Sequence, residues 1–256
     1  MSNLDLRAKS TPGAVVTEIQ PNYWRLSIPA GSSGKYRLAQ LDDYADLKRK
    51  GFPWRAPFIL HFEARASASD LPGTWGFGLW NDPFSISLGF GGGVRRFPAL
   101  PNTAWFFFAS LPNYLSLRDD LPAAGQLAAT FHSPNIPALL LALGVPALPL
   151  FVLRPFVRLF RRMARLLIGQ DSTALEHDPT NWHQYKLVWQ EKGVTFCVDD
   201  ETVLETHVIP RSPLGLVIWI DNQYAAFPPN GKLGYGSLAN EDSWIEVKGI
   251  SVKRKT

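Results

Sequence analysis

Cys197 is the only cysteine in this chain, so no internal disulfide can staple the fold. It lies in the strand pattern Val194–Val198, where a packed thiol is expected rather than a nucleophile. One thiol leaves the redox compartment open, with a lean to the cytoplasm. Met1 to Gly13 is polar and shows no apolar segment of the secretory type. There is no internal repeat and no low-complexity tract. The five histidines (His61, His132, His177, His183 and His207) offer no pair at i, i+4, so no metal site is expected. No Gly-x-Ser-x-Gly nucleophile motif occurs. The run Gly89-Phe90-Gly91-Gly92-Gly93 has neither the lysine nor the following helix of a phosphate-binding loop and reads as a turn or rim loop. No cofactor is expected.

Acidic residues are missing altogether between His132 and Asp171, and Ser133 to Leu153 carries no charge of either sign. The same stretch holds Arg154, Arg158, Arg161, Arg162 and Arg165. At ~100° per residue these fall in an arc of about 100°, opposite Phe156, Leu159, Phe160, Met163, Leu166 and Leu167. Removing those five from the 26 basic residues leaves 21 against 22 acidic ones, so the net charge of +4 is a local patch. A nucleic-acid partner, which needs a basic face on the folded body, is not expected.

The chain has 256 residues, 46% of them hydrophobic, with 9 tryptophans, enough for one large β-sandwich or two small domains with a sizeable core. Short strand patterns separated by Gly, Pro and Asn turns predict strands at Tyr23–Ile28, Pro57–Ala66, Thr74–Trp80, Ala104–Ser110, Tyr114–Leu117, Leu127–Phe131, His183–Gln190, Val194–Val198, Leu214–Ile220 and Trp244–Val252. Asp43–Lys50 predicts a short helical turn. Pro137, Gly144, Pro146 and Pro149 break the first half of the 133–170 stretch, which predicts a bent hairpin rather than a simple membrane span. Pro155 suits the first turn of the basic helix. Three roles for this insert stay open. It can attach to an anionic membrane surface through Phe156, Phe160 and the five arginines, cover a site as a lid, or join two copies of the chain.

The tract Asn181-Trp182-His183-Gln184-Tyr185-Lys186-Leu187-Val188-Trp189, followed by Gly193-Val194-Thr195-Phe196-Cys197-Val198-Asp199-Asp200, resembles paired strands of the concanavalin A-like lectin/glucanase superfamily. The likeness is nearest to the laminarinase and lichenase type, the family 16 glycoside hydrolases. Asp200 stands where those proteins usually place glycine. His61-Phe62-Glu63-Ala64-Arg65, Gly73–Trp80 and Trp244–Val252 are similar to further strands of that family. The resemblance implies an all-β jelly-roll sandwich of two antiparallel sheets, one domain over 1–256, interrupted by a helical insertion at 133–170. It also implies that Glu63 and Arg65 project into a substrate cleft.

Hydrolysing members carry Glu-x-Asp and a second Glu on the next strand, because a retaining glycosidase needs two carboxyl groups about 5 Å apart. The corresponding strand here, Thr103–Ser110, has no carboxylate on either face. Hydrolysis of the family type is therefore not expected. On strand parity His61 joins Glu63 and Arg65 on one face, either as an ion-paired wall or as an acid–base group tuned by Arg65. Trp105 and Phe107 share one face of their strand. Val217, Trp219 and Asp221 share another, with Gln223 beyond, and Trp80-Asn81-Asp82 adds a polar–aromatic cluster. The expected protein is cytoplasmic and peripheral to a membrane. It binds, and in one variant cyclises or isomerises, a hydrophobic or amphipathic small molecule, with Glu63, His61 and Asp221 as proton-transfer groups. Arg65, Trp80, Asp82, Trp105, Phe107, Trp219 and Gln223 would hold the ligand. The alternative is a carbohydrate-binding module or a divergent glycoside hydrolase.

Overall fold

The computed structural model describes residues 4–83 and 96–254. The glycine run at 89–93 lies outside the described residues. In chain order the strands are β1 (Arg7–Ser10), β2 (Val15–Gln20), β3 (Tyr23–Ile28), β4 (Leu38–Asp42), β5 (Phe58–Ala66), β6 (Thr74–Trp80), β7 (Thr103–Ala109) and β8 (Gly125–His132). The helices α1 (Ala138–Ala142) and α2 (Arg154–Leu167) follow, with a 3₁₀ segment at Val145–Val152 between them. The chain continues with β9 (Gly169–Ala174), β10 (His183–Trp189), β11 (Val194–Val198), β12 (Glu201–Thr206), β13 (Gly215–Asp221), β14 (Gln223–Ala226), β15 (Gly234–Ser237) and β16 (Ser243–Arg254).

These strands build two seven-stranded sheets and one ribbon. The first sheet runs β1-β4-β13-β6-β7-β8-β9, the second β12-β11-β10-β5-β16-β3-β2, and β14 pairs with β15. Every ladder within the two sheets is antiparallel. This is a jelly-roll sandwich, and period-two alternation produces it. On β5, Phe58, Leu60, Phe62, Ala64 and Ala66 are buried while the residues between them are partly exposed. Phe62 meets Phe77 edge-on across the core at 4.5 Å, and Trp75 stacks on Phe108 at 3.6 Å. The core between the sheets takes Phe106 and Phe108 from β7 and Leu216, Ile218 and Ile220 from β13.

The structure departs from the expected strands in several places. Tyr114–Leu117 forms no strand. Tyr114 makes one isolated bridge to Ala226, and the segment crosses the outer face of the first sheet as a loop. The helical turn falls at Arg49–Gly51, at the end of the expected range. The expected helix is α2, with Pro155 in its first turn. It docks by a narrow strip in which Val157 and Arg161 are buried. Arg161 therefore does not face outward with the other arginines. Its guanidinium donates to the carbonyls of Ser116 (2.8 Å), Phe227 (2.6 Å) and Arg118 (3.2 Å) and to Asp119 (2.8 Å). Arg165 pairs with the same Asp119. Those carbonyls and that carboxylate attract the guanidinium inward.

Candidate functional site

The outer face of the first sheet carries a second hydrophobic cluster, separate from the core, in which Phe107, Val217 and Trp219 are buried and Trp80 and Trp105 half-buried. Register puts them together. One row across the sheet is Asp42–Val217–Gly78–Trp105–Ala129 and the next is Gln40–Trp219–Gly76–Phe107–Leu127. The glycines of β6 occupy the two positions between the large rings. Gly76 leaves room for the Trp219 ring, since a Cβ there would come 2.9 Å from Cη2 of Trp219. The rings then meet each other. Trp80 and Trp219 lie parallel with centroids 6.5 Å apart, Trp105 is 5.4 Å from Trp219, and Trp80 is 6.1 Å from Trp105. Hydrogen bonds orient two indoles, with Trp80 Nε1 donating to Tyr44 Oη at 2.6 Å and Trp219 Nε1 to Thr74 Oγ1 at 3.0 Å. Tyr36, Leu115 and Leu121 pack on this cluster from flanking loops.

Polar groups border the rings. Asp221 accepts from Thr74 Oγ1 (2.9 Å), from the backbone N–H of Thr74 (3.3 Å) and of Gln223 (3.1 Å), and from Tyr36 Oη (3.3 Å). Burial raises its carboxyl to about 7, and those hydrogen bonds oppose the rise only in part. Gln40 Nε2 donates to Asp42 Oδ2 at 2.7 Å, and Asp42 Oδ1 in turn accepts from the backbone N–H groups of Tyr44 and Ala45. At the end of β6, burial raises Asp82 while its 2.6 Å pair with Arg96 offsets this. Arg96 also ties the carbonyls of Tyr44, Ala45 and Leu47 to this corner. Sequence reasoning missed Tyr36, Gln40, Asp42 and Tyr44. The alternation of Tyr36, Leu38, Gln40 and Asp42 with Ala39 and Leu41 was the available signal.

Glu63, His61 and Arg65 are elsewhere. The core-facing parity of Phe62 and Ala64 turns all three to the outer face of the second sheet, across the core from the tryptophan cluster. The acid–base set of Glu63, His61 and Asp221 therefore does not assemble. Glu63 pairs with Lys248 at 3.0 Å, and Arg65 with the buried Glu246 at 2.8 Å. Arg65 also stacks on Trp182 and Trp244, so this face is an ion-pair and cation–π lattice that covers the sheet. Gln223, on β14, sits beyond Asp221 and is half-buried.

Asp42 and Asp221, on the strands beneath the rings, do not stand side by side as a glycosidase pair. β7 carries no carboxyl group. Asp42 stands opposite Val217 and Asp221 opposite Leu38, four residues apart along paired strands. Their backbone positions are thus offset by roughly 13 Å along the strands, where a retaining pair has its carboxyl groups about 5 Å apart. Among the described residues no three His, Cys, Asp or Glu side chains converge to hold a metal ion. A separate depression of about 480 Å³ is lined by Glu176, His177, Asp199 and Glu201 among others. His183 Nδ1 lies 2.6 Å from Asp199 there, and burial beside His183 pulls His177 down to about 4.

No protein-family model matches the chain, and no curated protein does. Solved structures do match. An endo-β-1,4-glucuronan lyase from the fungus Trichoderma reesei superposes with a TM-score of 0.51 at 9% identity, over 100% of this chain and 92% of that one. A glycoside hydrolase family 16 endo-glucanase from Bacteroides ovatus gives 0.52 at 10% identity, over 99% and 96%. The fold is thus that of the concanavalin A-like lectin/glucanase proteins. At such identities the likeness extends to the fold alone.

Proposed function

We propose that this chain is a glycan-binding protein of concanavalin A-like fold whose aromatic face receives the sugar, and that it does not cleave glycosidic bonds by the two-carboxylate mechanism. The observation that supports this is the convergence of Trp80, Trp105 and Trp219 on one face, on a sheet whose β7 carries no acid. The apolar C–H face of a pyranose ring packs on an indole, and the hydroxyls around its edge exchange hydrogen bonds with polar groups such as those that border the rings. Half-buried Trp80 and Trp105 supply the accessible platform, while buried Trp219 backs them. The two proteins of similar fold carry polysaccharide-cleaving names, which agrees with a sugar ligand. The cyclase variant loses support, because Glu63 and His61 lie behind the other sheet.

A glycan array with the intact chain tests the proposal, followed by calorimetry on each hit and on Trp105→Ala. Binding that the substitution abolishes, with no release of reducing ends, is expected. An array without a hit, together with a lipid or terpenoid that co-purifies in native mass spectrometry, would overturn it.

A further inference from the structure

The projection between β8 and β9 shows an orientation that its sequence does not. Its helix α2 grips the body through Val157 and Arg161 and turns most of its apolar surface to solvent. Leu166 is 87% exposed, and Leu159 and Met163 are exposed beside it. The uncharged arm before the helix does the same, with Val152 at 85%, Leu139 at 78% and Leu143 at 73%. A lid over the sandwich would bury this surface against the body, and here it points away. Large contiguous exposed apolar patches on soluble proteins mark protein, membrane or ligand contact sites.

The charges beside this surface identify what covers it. Arg154, Arg158 and Arg162 are exposed and make no ion pair among the described residues. On the helical wheel Arg158 and Arg162 adjoin Leu159 and Leu166, so cations border the apolar strip along one side. The projection contains no acid. A second copy packed projection against projection would bring arginines toward arginines with no acid in either projection to neutralise them, whereas an anionic bilayer offers phosphate oxygens above and acyl chains below. No helix among the described residues is long and apolar enough to cross a membrane.

We propose that residues 138–167 form an interfacial docking element for anionic lipid bilayers, with the exposed leucines and Met163 entering the acyl boundary and Arg154, Arg158 and Arg162 meeting the phosphates. The attachment is firm on the protein side, because Arg161 and Arg165 bind Asp119 and Arg161 also holds the carbonyls of Ser116 and Arg118. That same loop supplies Leu115 and Leu121 to the aromatic face, so the element is anchored beside the candidate site. It stands independently of the glycan proposal.

Co-sedimentation of the intact chain with phosphatidylglycerol/phosphatidylcholine vesicles, and with phosphatidylcholine alone, tests it. Retention on the anionic vesicles only is expected, weakened by salt. Arg158→Glu/Arg162→Glu should lower the partition coefficient more than 20-fold, and Leu159→Ser/Met163→Ser/Leu166→Ser should abolish retention. These side chains are exposed, so both variants should melt like the parent. Cys197 is buried, so Leu166→Cys takes an environment-sensitive dye selectively, and its emission should shift to the blue on anionic vesicles. Three results would overturn the proposal: no retention on either vesicle, equal retention on both, or a dimer in light scattering that Leu166→Ser dissolves.

Discussion

Trp219 lies over Gly76, and no side chain larger than hydrogen fits between the ring and β7. A Cβ at that position would approach Cη2 of Trp219 to 2.9 Å and collide with the carbonyl oxygen of Phe106. Gly76→Ala should therefore destabilise the fold by about 1–3 kcal/mol through overpacking. The same change should displace the Trp219 ring and weaken any glycan found to bind. Denaturant unfolding and the tryptophan emission spectrum measure both effects. A variant with parental stability and an unchanged spectrum would show that the ring has slack.

Two tryptophans of the cluster should separate stability from binding. Trp219 is buried and donates to Thr74, so Trp219→Ala should cost about 3–5 kcal/mol. Trp105 is half-buried, and its truncation should cost less stability but remove the accessible stacking surface. Calorimetric titration with a glycan hit, beside a thermal melt, tests this. Parental affinity in Trp105→Ala would move the ligand off this face.

The Asp221 carboxyl gives the fold a pH slope of known sign. Its folded value of about 7 exceeds the 3.8 of a free carboxyl, so between those limits the folded chain keeps a proton that the unfolded chain releases. Its contribution to stability is highest below pH 4, falls as pH rises to 7, and then levels off. Asp43, also raised to about 7 by burial, acts in the same direction. His177, lowered to about 4 from 6.5, acts oppositely, because its protonation favours the unfolded chain as pH falls from 6.5 to 4. Both remain in Asp221→Asn, so the difference between that variant and the parent isolates Asp221. The difference should grow in the variant's favour by up to about 4 kcal/mol between pH 4 and 8. Parallel stability–pH curves would refute this.

The sandwich was legible because its strands alternate cleanly. On β5, β7 and β13 each core-facing ring or aliphatic side chain is two residues from the next, and parity alone set Trp105 and Phe107 apart from Phe106 and Phe108. Parity does not say which sheet a strand joins. Glu63, His61 and Arg65 were correctly grouped on one face, yet that face belongs to the other sheet, since β5 pairs with β10 and β16 through contacts distant in sequence. The polar alternation of β4 was legible, but not that all five of its residues are buried, with Gln40 donating to Asp42. For the arginine face, helical spacing gave the arc correctly but could not show that Arg161 would find three carbonyls and a carboxylate inside.

The turn between β11 and β12 is a two-residue hairpin turn made of two aspartates. Asp199 and Asp200 both take left-handed backbone angles, with φ of 50° and 65°. A two-residue hairpin turn of this kind prefers glycine at its second position. Asp200→Gly should relieve the left-handed cost and raise stability by about 0.5–1 kcal/mol. Asp199→Gly should do the reverse, because Asp199 also accepts from His183 and from the backbone of Gln184. Paired thermal melts decide it, and equal shifts of one sign for both variants would contradict the assignment.

Arg161 and Arg162 are neighbours in sequence with opposite surroundings, and their substitution should show it. Arg161→Met leaves the carbonyls of Ser116, Arg118 and Phe227 and the Asp119 carboxylate without this donor. The cost should be about 1–3 kcal/mol, concentrated where α2 meets the body. Amide hydrogen exchange over residues 154–167 should accelerate while the β5–β16 ladder stays protected. Arg162→Met, on the exposed side, should stay within about 0.5 kcal/mol of the parent and leave that exchange unchanged. If both substitutions behave alike, the guanidinium of Arg161 does not hold the helix, and the docking of α2 rests on Val157 and the ring contact between Phe160 and Phe227.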